Sequence, residues 1–321
     1  VGDAIERAVV ATGLPGGIFG LLFDDGHEVG SQLVRQPGIK AVGFTGSQNG
    51  GLALARLATE RPEPIPVFAE MGSVNPVVVL PGALADSVEE IATGLFGSCT
   101  LGVGQFCTNP GLVFVPAGSH GDAFVARLGE LAAAAELPAM LTAGIAENYE
   151  RCSEALRERG ARLVAEGAGT AARIFECELD AVTKHPDLLV EVFGPSTLVV
   201  RWSEPGRLIQ CIDGMDGQLT ATLHASESDD SDEIWRALAG RSGRVLFGGY
   251  PTGVEVNHAM VHGGPWPATS DGASTSVGTR AIRRFARPLA YQNAPESLLP
   301  PELREDNPRG IWRLVDGDFN R

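Results

Sequence analysis

Ala41-Val42-Gly43-Phe44-Thr45-Gly46-Ser47 leads through Leu52-Ala53-Leu54-Ala55-Arg56-Leu57-Ala58 to Pro66-Val67-Phe68-Ala69-Glu70-Met71-Gly72. Two short apolar runs enclose one apolar stretch of helical length. Strand, helix and strand in that order imply a parallel pair joined by a crossover. The same alternation extends in both directions. Upstream, a helix is expected over Val1–Ala11, a buried strand over Ile18–Phe23 and a helix over Val29–Arg35. Downstream, strands are expected at Val77–Leu80, Leu112–Val115, Ala172–Cys177, Leu198–Trp202, Leu219–His224 and Val245–Phe247. Helices are expected at Ser87–Leu101, Asp122–Ala135, Ile145–Arg159 and Ser231–Arg241. Asp86-Ser87-Val88-Glu89 has capping-box spacing ahead of the first of these. The whole reads as an α/β protein with a mainly parallel sheet. Beyond about Pro288 the text turns rich in Pro, Asn and charge and reads as a tail laid over a surface.

The 321 residues carry 25 Lys plus Arg against 40 Asp plus Glu, a net charge of −15. That balance argues against nucleic acid, whose phosphates demand basic patches, and against an anionic membrane surface. No apolar run approaches the ~18 residues of a membrane span. Five widely spaced cysteines, with no C-x-x-C, argue against a disulfide framework and suggest a reducing, cytoplasmic setting. The chain begins at Val1 within a helical pattern, so a targeting signal cannot be read.

Four short segments could carry chemistry. In Gly104-Gln105-Phe106-Cys107-Thr108-Asn109-Pro110 a glycine-led irregular segment could hold a thiol among peptide N–H groups. The alternative is a small buried hydrophobe, which most free cysteines are. Glu70 closes an apolar strand, where α/β folds place ligands, and could be a general base; the alternative is a solvated strand-end carboxylate. Phe44-Thr45-Gly46-Ser47 resembles a phosphate cradle at a helix start, although an ordinary N-cap explains it equally well. Glu191-Val192-Phe193-Gly194-Pro195 alone reads as a strand end and a turn. Neither G-x-S-x-G nor H-E-x-x-H occurs. His258 and His262 are four apart, but Asn257, Gly263, Gly264 and Pro265 make this a loop without a third ligand, and no metal is expected.

Taken in order, the four segments resemble the aldehyde dehydrogenase superfamily across essentially the whole chain. Glu70–Pro76 (EMGSVNP), Val261–Thr269 (VHGGPWPAT) and Arg284–Asn293 (RFARPLAYQN) are most similar to the α-ketoglutarate semialdehyde (2,5-dioxovalerate) dehydrogenases within it. The resemblance implies Cys107 as nucleophile and Glu70 as general base. It implies Gly46, Ser47, Glu191 and Phe193 as contacts of an NAD or NADP cofactor, with NADP favoured by the subfamily. It implies a partial dinucleotide-binding domain over 1–69, a complete catalytic domain over 70–287 and a C-terminal tail over 288–321. The usual Glu-Leu-Gly-Gly is here Glu70-Met71-Gly72-Ser73. Members of the family carry a further upstream segment with two strands of the dinucleotide fold, an oxyanion-hole Asn and much of an oligomerisation hairpin. This chain therefore looks like the C-terminal two-thirds, with Asn307–Val315 (NPRGIWRLV) matching the family's end, and the longer protein is expected to be a homo-oligomer. For the semialdehyde's far carboxylate, Arg280, Arg283 and Arg284 are candidates by composition. The competing readings are a non-catalytic fragment or scaffold and a cofactor-independent cysteine esterase.

Overall fold

A computed structural model describes residues 1–321. It begins with α1 (Gly2–Ala11) and α2 (Glu28–Arg35), followed by β1 (Val42–Thr45), α3 (Gln48–Thr59) and β2 (Val67–Glu70). β1 and β2 pair in parallel from Val42↔Val67 to Thr45↔Glu70, with α3 as the crossover. Ser47 caps α3, its Oγ accepting the Gly50 N–H at 3.2 Å. Arg61 locks the preceding segment: its buried guanidinium donates to the carbonyls of Val34, Ile39 and Glu63.

Ile18–Phe23 is not the buried strand that its apolar run suggests. It has no ladder partner, and Ile18, Leu22 and Phe23 stand exposed. A strand exists through hydrogen bonds to a neighbour, and this segment joins neither outer edge of the β1–β2 pair.

The chain continues through β3 (Val77–Val79), α4 (Pro81–Thr100), β4 (Leu112–Pro116), α5 (Ser119–Ala134), β5 (Glu136–Leu137), α6 (Ala143–Glu158), β6 (Arg162–Glu166) and β7 (Ala168–Gly169). Then come β8 (Arg173–Glu178), α7 (Leu179–Lys184), β9 (Ser196–Trp202), α8 (Pro205–Gly214), β10 (Gln218–His224), α9 (Asp232–Arg241) and β11 (Ser242–Phe247). Seven of these strands form one sheet in the order β11-β10-β3-β4-β9-β8-β6. All neighbours are parallel except β6, which runs antiparallel to β8 with an irregularity between Leu163 and Ala165. The sheet is therefore mixed, with mostly parallel strands.

Side chains that alternate along the central strands feed two cores. Val78, Phe114, Val200 and Leu223 join Tyr149, Leu208, Ile212 and Leu238 on one face. Val77, Val79, Val113, Val115 and Val199 join Leu84, Leu95, Phe124 and Leu128 on the other. Each fully buried aliphatic side chain contributes about 1.5–3 kcal/mol, which is why β3 and β4 read as nearly unbroken apolar runs.

α4 starts before its capping-box signal. Pro81 supplies the preset first turn, and Asp229 accepts the Gly82 and Ala83 N–H groups at 2.8 and 3.1 Å. The backbone leaves helical values at Ser87, where two helical segments meet end to end, so the signal at Asp86–Glu89 lies where the second segment starts.

Residues Ile282–Arg321 form a compact unit of their own, distinct from Val1–Ala281. Within it β12 (Arg313–Val315) and β13 (Asp318–Asn320) make a hairpin. Asp316 and Gly317 turn it with φ of 51° and 95°. No helix in the chain is long and apolar enough to cross a membrane.

Candidate functional site

The large sheet presents the amino ends of its parallel strands to the carboxyl ends of β1 and β2. Ser73–Asn75 precede β3, Cys107–Asn109 precede β4, Glu191–Pro195 precede β9, and Gln218 opens β10. Glu70 is the last residue of β2. The sequence segments singled out for chemistry converge on this junction.

At its centre lie Glu70, Cys107 and His262, whose ligand-type atoms are all within 4.8 Å of one another. Cys107 Sγ is 3.4 Å from His262 Nε2, and the same nitrogen is 3.2 Å from Glu70 Oε1. Ser276 donates from Oγ to the other carboxylate oxygen, Oε2. Glu70 and His262 are 4% and 3% exposed, so water scarcely screens their interaction. Burial acts to raise the Glu70 carboxyl, but hydrogen bonds from His262 and Ser276 outweigh it and hold Glu70 below its ordinary value. Burial acts to lower His262, and its hydrogen bonds with Cys107 and Glu70 instead lift it to about 9. At neutral pH the pair is an imidazolium and a carboxylate. By contrast, burial pushes the thiols of Cys99, Cys177 and Cys211 up to about 12, 12 and 11.

His262 arrives on an irregular segment that returns along β2. Met71 N–H donates to Ala268 O at 2.8 Å, and Ser270 N–H to Ala69 O at 2.9 Å. Ser276 N–H donates to His262 O at 2.8 Å, which brings both residues to Glu70. His258 lies apart, exposed, with Nδ1 3.2 Å from Thr279 Oγ1. The spacing of four residues concealed what these two histidines do. The useful signal was the glycine pair after His262: a Cβ on Gly264 would stand 2.2 Å from Gln218 O, so that stretch must press against β10.

The Cys107 loop is held by Asn75, which is fully buried with φ of 48°. Its Nδ2 donates to Cys107 O and Asn109 O, each at 2.9 Å, and its Oδ1 accepts from Ser73 and Thr220. Gln218 Oε1 gathers Ser73 Oγ, Val74 N–H and Asn75 N–H. Asn75, Gln218 and Ser276 are site residues that the sequence reading did not single out, and it weighed His262 only as half of a metal pair with His258.

Gly46 and Ser47 sit at the end of β1. Gly46 N–H donates to Glu70 O at 3.1 Å, which ties the cradle-like turn to β2. Glu191 folds over Gly72, where a Cβ would be 2.3 Å from its Oε2. It accepts one long bond, 3.4 Å from Ser73 N–H, and burial lifts it to about 7. Phe193, half-buried, borders a small cavity with Ser73, Asn109 and Glu191. Arg280 is exposed, and Arg283 and Arg284 belong to the second unit, where the Arg284 guanidinium lies over the Phe285 ring.

A thiol, an imidazole and a carboxylate in contact can generate a nucleophile and then activate water. Residues 2–278 match the model of the aldehyde dehydrogenase family. Alpha-ketoglutaric semialdehyde dehydrogenase 2 of Azospirillum brasilense is 47% identical over 99% of this chain and 62% of its own length. Alpha-ketoglutaric semialdehyde dehydrogenase of Acinetobacter baylyi is 44% identical, again over 99% of this chain and 62% of its own. The chain thus spans about 62% of the length of these curated relatives. Among solved structures, gamma-glutamyl-gamma-aminobutyraldehyde dehydrogenase from Burkholderia cenocepacia shares the fold, with a TM-score of 0.73 at 20% identity over 88% of this chain and 58% of that one. The chain belongs to the aldehyde dehydrogenase family.

Proposed function

We propose that this chain carries the thiol, imidazole and carboxylate of an NAD(P)-dependent aldehyde dehydrogenase acting on α-ketoglutarate semialdehyde. The contact of Cys107, His262 and Glu70 carries the reading. The Glu70 carboxylate is placed to take the proton of Cys107 as sulfur bonds to the aldehyde carbon, giving a thiohemiacetal, while the His262 imidazolium beside the sulfur stabilises its negative charge. The nicotinamide group, when bound, supplies the hydride acceptor that turns the thiohemiacetal into a thioester. Glu70, backed by His262 and Ser276, then activates the water that releases the acid and restores the thiol. The semialdehyde assignment is supported by the names of the two relatives above.

The site fits such a cofactor at Glu191. A largely buried carboxylate with one long hydrogen bond has acceptor capacity left for the hydroxyls of a ribose. Gly46 and Ser47 at the head of α3, and Phe193 beside Glu191, complete the set. On this reading residues 1–69 serve the cofactor, 70–287 the chemistry and 288–321 the tail.

Cys107 should take up iodoacetamide first, ahead of the buried Cys99 and Cys177 and of Cys211. Prior incubation with the semialdehyde should protect it by at least ~10-fold. Peptide mass spectrometry after a brief pulse reads both effects. Dominant labelling at Cys99 or Cys211, or no protection of Cys107, rejects the assignment. A turnover of activated esters that ignores added nicotinamide, with no aldehyde protection, would favour a cysteine esterase instead.

A further inference from the structure

We infer that Cys107, His262 and Glu70 form a reversible zinc site, so that this cation switches the thiol off. The binding follows from geometry, and its effect on turnover rests on the function proposed above.

Zinc takes thiolate, imidazole and carboxylate together, often with three protein ligands and one open position. Bonds of about 2.3 Å to sulfur and about 2.0–2.1 Å to nitrogen and oxygen, at the tetrahedral angle, set sulfur and nitrogen about 3.5 Å apart and nitrogen and oxygen about 3.4 Å apart. The observed separations are 3.4 Å for Sγ–Nε2 and 3.2 Å for Nε2–Oε1. Both lie within about 0.2 Å of those separations, and Sγ and Oε1 are within 4.8 Å of each other. One imidazole nitrogen faces both other ligands, so once it has lost its proton its lone pair is aimed into the triangle. Ser276 holds Oε2, which leaves Oε1 to bind and fixes the carboxylate as an outer partner does in established zinc sites.

Two features set the strength. His262 Nδ1 is buried without a hydrogen-bond partner, so the imidazole lacks the outer anchor that zinc-bound histidines usually have. Arg244 is near enough to interact electrostatically with Cys107, and its charge opposes a cation. Two anionic ligands outweigh one guanidinium, and the result is a site that a chelator can empty. On binding, zinc forms bonds to Sγ, Nε2 and Oε1, the thiol proton and the imidazolium proton at Nε2 leave to solvent, and water fills the fourth position. Neither oxidation nor reduction occurs. The sulfur lone pair that would attack an aldehyde is then held by the metal.

Cobalt(II) reports the ligand set without reference to activity. Titrating the purified chain with Co²⁺ should produce a near-ultraviolet sulfur-to-cobalt band and intense visible bands of a four-coordinate ion, saturating at one equivalent. Zn²⁺ should abolish them, and EDTA should restore free Cys107 to iodoacetamide. Cys107→Ser should remove the sulfur band. Glu70→Gln, nearly isosteric, should weaken binding at least ~10-fold while far-ultraviolet circular dichroism stays unchanged. A sulfur band that survives Cys107→Ser, or no band at all, overturns the site. Zinc binding at Cys107 that leaves aldehyde turnover intact overturns the switch and, with it, the assignment of Cys107 as nucleophile. Loss of turnover in Cys107→Ala without any cobalt band keeps that assignment and rejects only the metal site.

Discussion

Glu70 lies against His262 and Ser276, whereas Glu191 meets the amide of Ser73 at 3.4 Å. The two carboxyls therefore shift in opposite directions, Glu70 down and Glu191 up to about 7. A raised carboxyl costs stability once ionised. The cost is absent below the unfolded value of about 4.3, grows as pH rises towards about 7, and is constant above it. Glu191→Gln should therefore stabilise the chain at about pH 8. Part of the side chain is open to solvent, which limits the gain to about 1–2 kcal/mol. The gain should fade as pH drops towards 4.3. Urea unfolding at several pH values measures it, and equal stability of the two proteins at pH 8 would show that the carboxylate finds other partners. His262 runs the other way. Its folded value of about 9 exceeds the unfolded value of about 6.5, so its contribution is full below about 6.5 and is lost as pH rises through 9. The melting temperature of His262→Asn should trail that of the parent by several degrees at pH 6, and the gap should close towards pH 10. A gap that stays constant with pH would rule out the ion pair as its source.

The elements that place these residues were largely legible as elements. The β1–α3–β2 unit follows from two apolar runs around one helical repeat, and β3 and β4 at the middle of the large sheet from their apolar runs. Ile18–Phe23 misled because an apolar run reveals burial potential but not a pairing partner. β6 was missed because Arg162–Glu166 is a half-exposed edge whose alternation is too short to stand out. His262 was visible as a residue and invisible as a contact, because 155 positions separate it from Cys107. What joins the segments is backbone, and it can be tested. Gly104 has φ of 66°, and a Cβ there would stand 2.2 Å from the carbonyl carbon of Gly194. Asn109 Nδ2 spans the same gap to Gly194 O at 3.0 Å. The Cys107 loop and the Glu191 loop are therefore packed backbone on backbone. Gly104→Ala should cost about 2–4 kcal/mol through left-handed strain and overpacking. It should also make alkylation of Cys107 less selective over the remaining cysteines. Unchanged denaturation and unchanged selectivity would mean that the two loops move independently.

At the scale of the molecule, the seven-stranded sheet and the β1–β2 pair are unequally protected. The seven-stranded sheet has both faces covered by buried cores. The β1–β2 pair has two strands only, and a sheet that small is marginal unless something packs against it. Near it in sequence, Leu22 and Phe23 are 60% and 83% exposed, with Ile18 and Leu21 also open. Apolar residues clustered in an unpaired segment, together with open strand edges, favour association between copies. The net charge of −15 opposes this, but its reach is cut to about 8 Å at physiological ionic strength. The expectation is therefore reversible self-association that strengthens with salt. Light scattering at tens of micromolar should show a mass above that of one chain, rising between about 0.05 and 0.5 M sodium chloride. Replacing Leu22 and Phe23 by Glu should return the mass to one chain without altering the circular dichroism spectrum, because neither side chain contributes to a core. If the double variant associates as strongly as the parent, the contact lies elsewhere on the chain. If the parent remains a single chain at every salt concentration, the exposed segment is not an adhesive surface.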